Sequence, residues 1–269
     1  MFRKLMLCAL ALLASTACFA ASCEYTVEKA AYKTLVANIY RPASPHAVPV
    51  VIAFGGSEGG LSTGDSSGEM LAPHCIAVLG LAYFKEAGLP STLDQIPLEY
   101  FIDAIDYVSK QAGIDAARIG IVSGSRGSEA ALLVASMDVR IKSVVVATPS
   151  EVAWGGMTTP KSAWTFRGTD IPVPALQAKR FDTALDNIED WRKYRIAVER
   201  INGPIFLISA ENDQIWPSTR MSGDIVSYLA QKNFKFNVRH DSYPTGHGFS
   251  KELAPGIKQS VVDRFLDTL

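Results

Sequence analysis

Five short, unbroken apolar runs limit what this chain can fold into: residues 49–54, 76–83, 119–123, 143–148 and 205–209. A strand whose successive side chains are all apolar has both faces covered, as a central strand of a parallel sheet does. Helical patterns separate these runs. One begins at Pro97, expected at a first helical position, and puts Leu98, Phe101, Ile102, Ile105 and Val108 on a single face. Others cover residues 129–136, 218–231 and 258–269. Residues 23–30 and 34–40 read as two strands joined by a tight turn, and residues 234–239 as the last strand. Strands alternating with helices predict an α/β domain with a mainly parallel central sheet and flanking helices.

Residues 1–20 read differently. Arg3 and Lys4 precede an apolar run that ends near Ala14, and Cys18-Phe19-Ala20 makes a small-x-small cleavage site. This is the pattern of a signal peptide, so the chain is expected to be exported, to the periplasm or outside the cell. The run is too short to span a membrane. Residues 21–269 suit one domain. Without Arg3 and Lys4, the remaining basic residues fall slightly short of the 27 acidic ones. That balance gives no reason to expect nucleic acid as a partner. Export also leaves two of the four cysteines, Cys23 and Cys75. They could pair in an oxidising compartment, and free thiols are the equal alternative.

The chemistry starts at the third run. Strand-like residues 119–123 break at Gly124-Ser125-Arg126-Gly127-Ser128, and an Ala/Leu-rich helical stretch follows at once. A strand turning sharply into a helix is how a nucleophilic serine is held in strained backbone geometry above a sheet. Small residues are needed two positions either side of it; here they are Ser123 and Gly127. The candidate nucleophile is therefore Ser125. Its hydroxyl needs a base, and the base needs an orienting acid. His46 and His74 precede the first two runs and sit at the wrong end of the sheet. His240 falls at the end of the expected last strand. His247 lies beyond it in Thr245-Gly246-His247-Gly248, a loop that can reach the serine, and is the favoured base. Asp213, after the strand at 205–209, is the favoured acid over its neighbour Glu211.

A glycine-rich stretch, Phe54-Gly55-Gly56-Ser57-Glu58-Gly59-Gly60, follows the first run. There a backbone N–H can stabilise an oxyanion. Gly56 is the expected donor, with Ser57 next, and Arg126 after the nucleophile supplies the second. The same glycines lack the spacing of a dinucleotide loop or a phosphate loop, and no histidine or cysteine spacing marks a metal site, so no cofactor is expected. Residues 151–200 interrupt the alternation with Trp154, Trp164, Phe166, Trp191 and Tyr194 and three prolines. Inserted between core strands, they are expected to form a cap over the end of the sheet where ligands bind. Those aromatics could line a pocket or pack the cap onto the body. Lys161, Arg167, Lys179 and Arg180 are cap cations, read as surface charges.

With these residues in place, the chain resembles the C-terminal catalytic domain of the acyl-CoA thioesterase and bile acid-CoA:amino acid N-acyltransferase family. The similarity runs over about residues 49–249. It includes the glycine-rich stretch, Leu81-Ala82-Tyr83-Phe84, Leu98-Glu99-Tyr100-Phe101, the turn around Ser125, Asn212-Asp213 ahead of Trp216, and Tyr243-Pro244-Thr245-Gly246-His247. The resemblance implies an α/β-hydrolase fold and a Ser125–His247–Asp213 triad. It also implies an acyl-enzyme intermediate whose acyl group passes to water or an amine. Ser123 and Ser128 stand where the family usually has glycine, and the family's preceding β-sandwich domain is absent from this sequence. The expected activity is hydrolysis of a small-molecule acyl ester or thioester. A general carboxylesterase, a dienelactone-hydrolase-like enzyme and an acyltransferase are the alternatives, and a ligand-binding protein on the same scaffold is the non-enzymatic one. Export argues against acyl-CoA, a cytoplasmic metabolite, as the natural substrate.

Overall fold

The computed structural model describes residues 22–174 and 191–269. The expected signal peptide, Lys179, Arg180 and the middle of the expected cap lie outside the described residues. Among the described residues the strands are β1 (Tyr25–Lys29), β2 (Val36–Pro42), β3 (Val48–Ala53), β4 (Ala77–Ala82), β5 (Ile96–Pro97), β6 (Ile114–Gly124), β7 (Ile141–Ala147), β8 (Trp164–Phe166), β9 (Thr169–Asp170), β10 (Ile205–Ala210) and β11 (Val238–Tyr243). The helices are α1 (Ser62–Leu71), α2 (Glu99–Val108), α3 (Arg126–Met137), α4 (Ser218–Gln231) and α5 (Ala254–Thr268). None is long and apolar enough to cross a membrane.

Eight strands form one sheet in the order β1-β2-β4-β3-β6-β7-β10-β11. β2 pairs antiparallel with both its neighbours, and every other pairing is parallel. This is the α/β-hydrolase arrangement. The apolar runs become its centre: β4 and β10 are buried at every position. One face packs against α2, α3 and α4, with Phe101, Ile105, Leu132 and Ile225 in the shared core. The other face packs against α5 and the end of α1, through Val261, Val262, Phe265 and Leu71. Because β3, β6, β7, β10 and β11 all run the same way, the loops that leave them gather at one edge.

β6, α3 and α5 begin three to five residues earlier than expected, at Ile114, Arg126 and Ala254, and three further elements differ from the sequence reading. α1 has no apolar stripe, since its sequence is STGDSSGEML. It packs through glycine instead. A Cβ on Gly64 would stand 2.7 Å from the Gly80 Cα of β4, and Gly68 lies flat against the Tyr40 ring. Close backbone approach replaces side-chain burial, and periodicity cannot register it. β11 begins four residues later than expected. Phe234 is held in the turn after α4, where its N–H donates to the Leu229 carbonyl at 3.0 Å, and β11 itself is a half-polar edge strand. Pro97 lies in β5, pairing with β8 rather than opening a helix; α2 starts at Glu99.

Cys23 and Cys75 form a disulfide, with Cα atoms 5.4 Å apart. It ties the chain just ahead of edge strand β1 to the turn before β4, beside a hydrogen bond from the Cys23 N–H to the Pro73 carbonyl (2.8 Å). The cross-link joins residues 52 apart in sequence. In the chain-entropy description a loop of that size contributes about 4 kcal/mol. The double substitution Cys23→Ser/Cys75→Ser is expected to lower Tm by on the order of 10 °C. Scanning calorimetry of the oxidised wild type beside the variant checks this. A shift under about 2 °C would mean the reduced chain keeps the loop closed by packing alone.

Candidate active site

At the end of β6 the chain turns sharply into α3. Ser125 takes φ 52° and ψ −131°, outside the regions comfortable for a side-chain-bearing residue. Hydrogen bonds hold it there: the Ser125 N–H donates to the Ala147 carbonyl and its own carbonyl accepts from the Ser128 N–H, both at 2.9 Å. Gly127 is required because a Cβ there would run into the Gly55 carbonyl and the Ser123 hydroxyl. The two serines standing for glycine are absorbed by hydrogen bonding. Ser123 Oγ donates to the Phe54 carbonyl (2.8 Å), and Ser128 Oγ donates to the Ser125 carbonyl (2.6 Å). The N-terminus of α3 begins directly behind Ser125 and directs its positive dipole end toward it.

His247 Nε2 lies 2.8 Å from Ser125 Oγ. Its Nδ1 lies 2.8 and 2.9 Å from the two carboxylate oxygens of Asp213. The loops carrying the two residues are stitched together. Glu211 N–H donates to the Tyr243 carbonyl, Asn212 N–H to the Thr245 carbonyl, and His247 N–H to Gln214 Oε1. Asp213 Oδ1 also accepts the N–H groups of Ile215 (3.0 Å) and Trp216 (3.3 Å). Burial works to raise the Asp213 pKa. Hydrogen bonds from His247, Ser218 and the Ile215 N–H together outweigh it and hold the carboxyl below its usual range. Trp216 meets the imidazole edge-on, ring centroids 5.2 Å apart, and its own Nε1–H donates to the Thr148 carbonyl at 3.2 Å. The tryptophan therefore braces the imidazole from the side. Nothing in its sequence context marked that role beyond its position three residues after Asp213.

The passed-over candidates lie elsewhere. His240 is in the middle of β11, its Nε2 2.7 Å from the Oγ of wholly buried Ser209, which also meets Thr219 Oγ1 at 2.9 Å. Burial lowers its pKa, with Asp241 opposing, and its ring packs within the sheet away from Ser125. Glu211 accepts from Ser242 Oγ (2.9 Å) at the exposed edge of the sheet. His46 and His74 precede β3 and β4 and so stand at the opposite edge from Ser125.

The Gly56 N–H differs from expectation. It donates to Glu58 Oε1 at 2.9 Å, and Thr63 Oγ1 donates to the same oxygen at 2.7 Å. Gly56 does lie against the serine, where a Cβ would stand 2.9 Å from Ser125 Cβ. Its donor, however, is engaged by a carboxylate two residues on. A glycine-rich turn leaves room for a nearby acidic side chain to fold back, and the motif alone could not reveal that. Ser57, ranked next, lines the cavity, as does Arg126.

That cavity has a volume of about 1030 Å³ and opens directly onto Ser125 and His247. Ile215 and Trp216 line it beside the catalytic pair, and the cap lines it through Gly155–Pro160, Val173, Pro174 and Tyr194. The cap's tryptophans do not line it. Trp154, Trp164 and Trp191 are at most 1% exposed and fasten the cap to the body. Lys161 and Arg167 stand outside it as well. Glu151, at the foot of the cap, pairs with Arg195 at 3.0 Å. Burial pushes the Glu151 carboxyl up to about 8, with Arg195 opposing.

The chain matches the family described as BAAT / Acyl-CoA thioester hydrolase C terminal over residues 96–262, more than half its length. It belongs to that family. This BAAT C-terminal chain is 30% identical over 228 residues to acyl-coenzyme A amino acid N-acyltransferase 1 of Mus musculus, covering 81% of the chain and 52% of the relative. It is 26% identical over 237 residues to acyl-coenzyme A thioesterase 1 of Homo sapiens, covering 83% and 54%. It thus spans about half the length of the curated relatives it matches. Among solved structures, dienelactone hydrolase from Anabaena variabilis shares the fold. The TM-score is 0.60 at 16% identity, over 91% of this chain and 99% of that one. Family and fold agree: a BAAT C-terminal sequence on an α/β-hydrolase scaffold.

Proposed function

We propose that this chain is an exported serine hydrolase that cleaves a small acyl ester or thioester through an acyl-enzyme. The observation that carries the reading is the continuous relay Asp213–His247–Ser125, every link between 2.8 and 2.9 Å, opening onto a cavity large enough for a small ligand. Ser125 Oγ attacks the acyl carbon while its proton passes to His247 Nε2. Asp213 holds the Nδ1–H and stabilises the imidazolium that forms. The carbonyl oxygen becomes an oxyanion facing the start of α3, where the Arg126 N–H and a donor from the 55–57 loop meet it. His247 then protonates the departing alcohol or thiol. The same histidine next deprotonates a water that attacks the acyl-serine, releasing the acid and restoring the serine.

The disulfide supports the export part of this reading, because such cross-links persist in oxidising compartments. It favours esters, or thioesters other than acyl-CoA, as natural substrates. Residues 21–269 should therefore hydrolyse short aryl esters with higher kcat/KM than acyl-CoA of the same acyl length. An assay of matched acyl groups on a phenol, on coenzyme A and in a lactone tests this. A marked preference for acyl-CoA would overturn the substrate assignment, and no turnover anywhere in the panel would overturn hydrolysis itself. Transfer to an amine would appear as amide product when glycine or taurine is added.

A further inference from the structure

Beyond the relay, α3 carries a carboxylate whose burial the reaction as described does not use. Glu129 is 0% exposed, one turn after the nucleophile. Its Oε1 is ion-paired with Arg126 Nε at 2.6 Å. Its Oε2 accepts the Trp154 N–H (2.9 Å) and the Trp164 indole Nε1–H (2.8 Å), both from the cap. Arg126 in turn donates through Nη2 to the Gly155 carbonyl at 2.9 Å, in the cavity wall.

The other oxyanion arm is reached through the same carboxylate. The Trp164 ring packs on Tyr83, centroids 5.6 Å apart. The buried Tyr83 hydroxyl, 3.0 and 2.9 Å from the Gly55 and Gly56 carbonyls, donates to that pair and fixes the glycine loop beside Ser125. A buried ion pair is a poor way to gain stability, since desolvation consumes most of the attraction, but it holds its partners in one geometry.

Resting on the serine-hydrolase reading, we infer that Glu129 is a positioning residue for catalysis. It sets Arg126 directly, and the 55–57 loop through Trp164 and Tyr83, so that both backbone donors meet the oxyanion. It also clamps the cap wall at Gly155 over the cavity. Its contribution falls on the transition state, so it belongs in kcat rather than in KM.

The test compares wild type, Glu129→Gln and Trp164→Phe on one aryl ester, with Tm measured for each. The glutamine removes the charge that holds Arg126. The phenylalanine keeps ring packing on Tyr83 but removes the indole donor to Glu129. Glu129→Gln is expected to lower kcat by about 10²-fold, the loss typical of an impaired oxyanion donor, with KM within about threefold of wild type. Trp164→Phe is expected to lower kcat about tenfold, again with little change in KM. If Glu129→Gln fails to fold, Trp164→Phe decides the matter, and an unchanged kcat in that variant overturns the proposal. Unchanged kcat in a folded Glu129→Gln also overturns it, as would a loss confined to KM. A wild-type enzyme that a fluorophosphonate does not label at Ser125 would instead overturn the serine reading beneath it. Labelling at Ser125 together with unaltered variant kinetics rejects the Glu129 role alone.

Discussion

Ser125→Ala is expected to lower kcat by a factor on the order of 10⁶, leaving only what binding and the oxyanion donors supply. The reasoning is geometric. The hydroxyl stands 2.8 Å from His247 Nε2 at the mouth of the cavity, on a backbone bent to φ 52° to present it there. Among the described residues no second hydroxyl is hydrogen-bonded to His247, and Ser209, the partner of His240, is wholly buried. Removing one oxygen atom therefore removes the nucleophile without opening the fold. Alanine even relieves nothing else, because the elbow is held by backbone hydrogen bonds from residues 125 and 128. Initial rates on an activated aryl ester, with Tm as a control, check the result. Residual activity above about one part in a thousand in a folded variant would mean that another group attacks.

Asp213→Asn should cost about 10⁴ in kcat with little change in shape. Both carboxylate oxygens now face His247 Nδ1, and one also accepts the Ile215 and Trp216 N–H groups. An asparagine keeps its oxygen on those backbone donors and turns its NH₂ toward Nδ1. The imidazole must then carry its proton on Nε2, where it points at Ser125 and cannot accept the serine proton. The loss falls on proton transfer, so KM should move little. Steady-state kinetics of the variant supply the check. A loss of less than about tenfold would show that the histidine keeps its working tautomer without the acid, and that Asp213 is a loop brace only.

The strand pattern carried most of the architecture. Runs apolar at every position could only be central strands, and once β6, β10 and β11 were parallel, the residues following them had to share an edge. That is why the sequence alone singles out Ser125, Asp213 and His247, far apart in the chain, and why they lie side by side. What escaped notice depends on contacts that periodicity does not encode. α1 buries glycines rather than an apolar stripe, so its sequence gives no helical periodicity to read. β11 is a polar edge strand, and the aromatic residues Phe234 and Phe236 drew the expected strand toward themselves. The folding of Glu58 back onto the Gly56 N–H, and the gathering of Arg126, Trp154 and Trp164 around Glu129, join residues from separate loops. A sequence shows those residue types but not their meeting. The cap's tryptophans, legible as either pocket lining or packing, prove to be packing.

Covalent capture of the nucleophile tests the central claim most directly. A protein of residues 21–269 is incubated with a fluorophosphonate, its intact mass recorded and the modified peptide sequenced. One phosphonyl group is expected per chain, on the hydroxyl of Ser125, with none taken up by Ser125→Ala and slow uptake by Asp213→Asn. An adduct on any other residue, or equal labelling of the alanine variant, would contradict it.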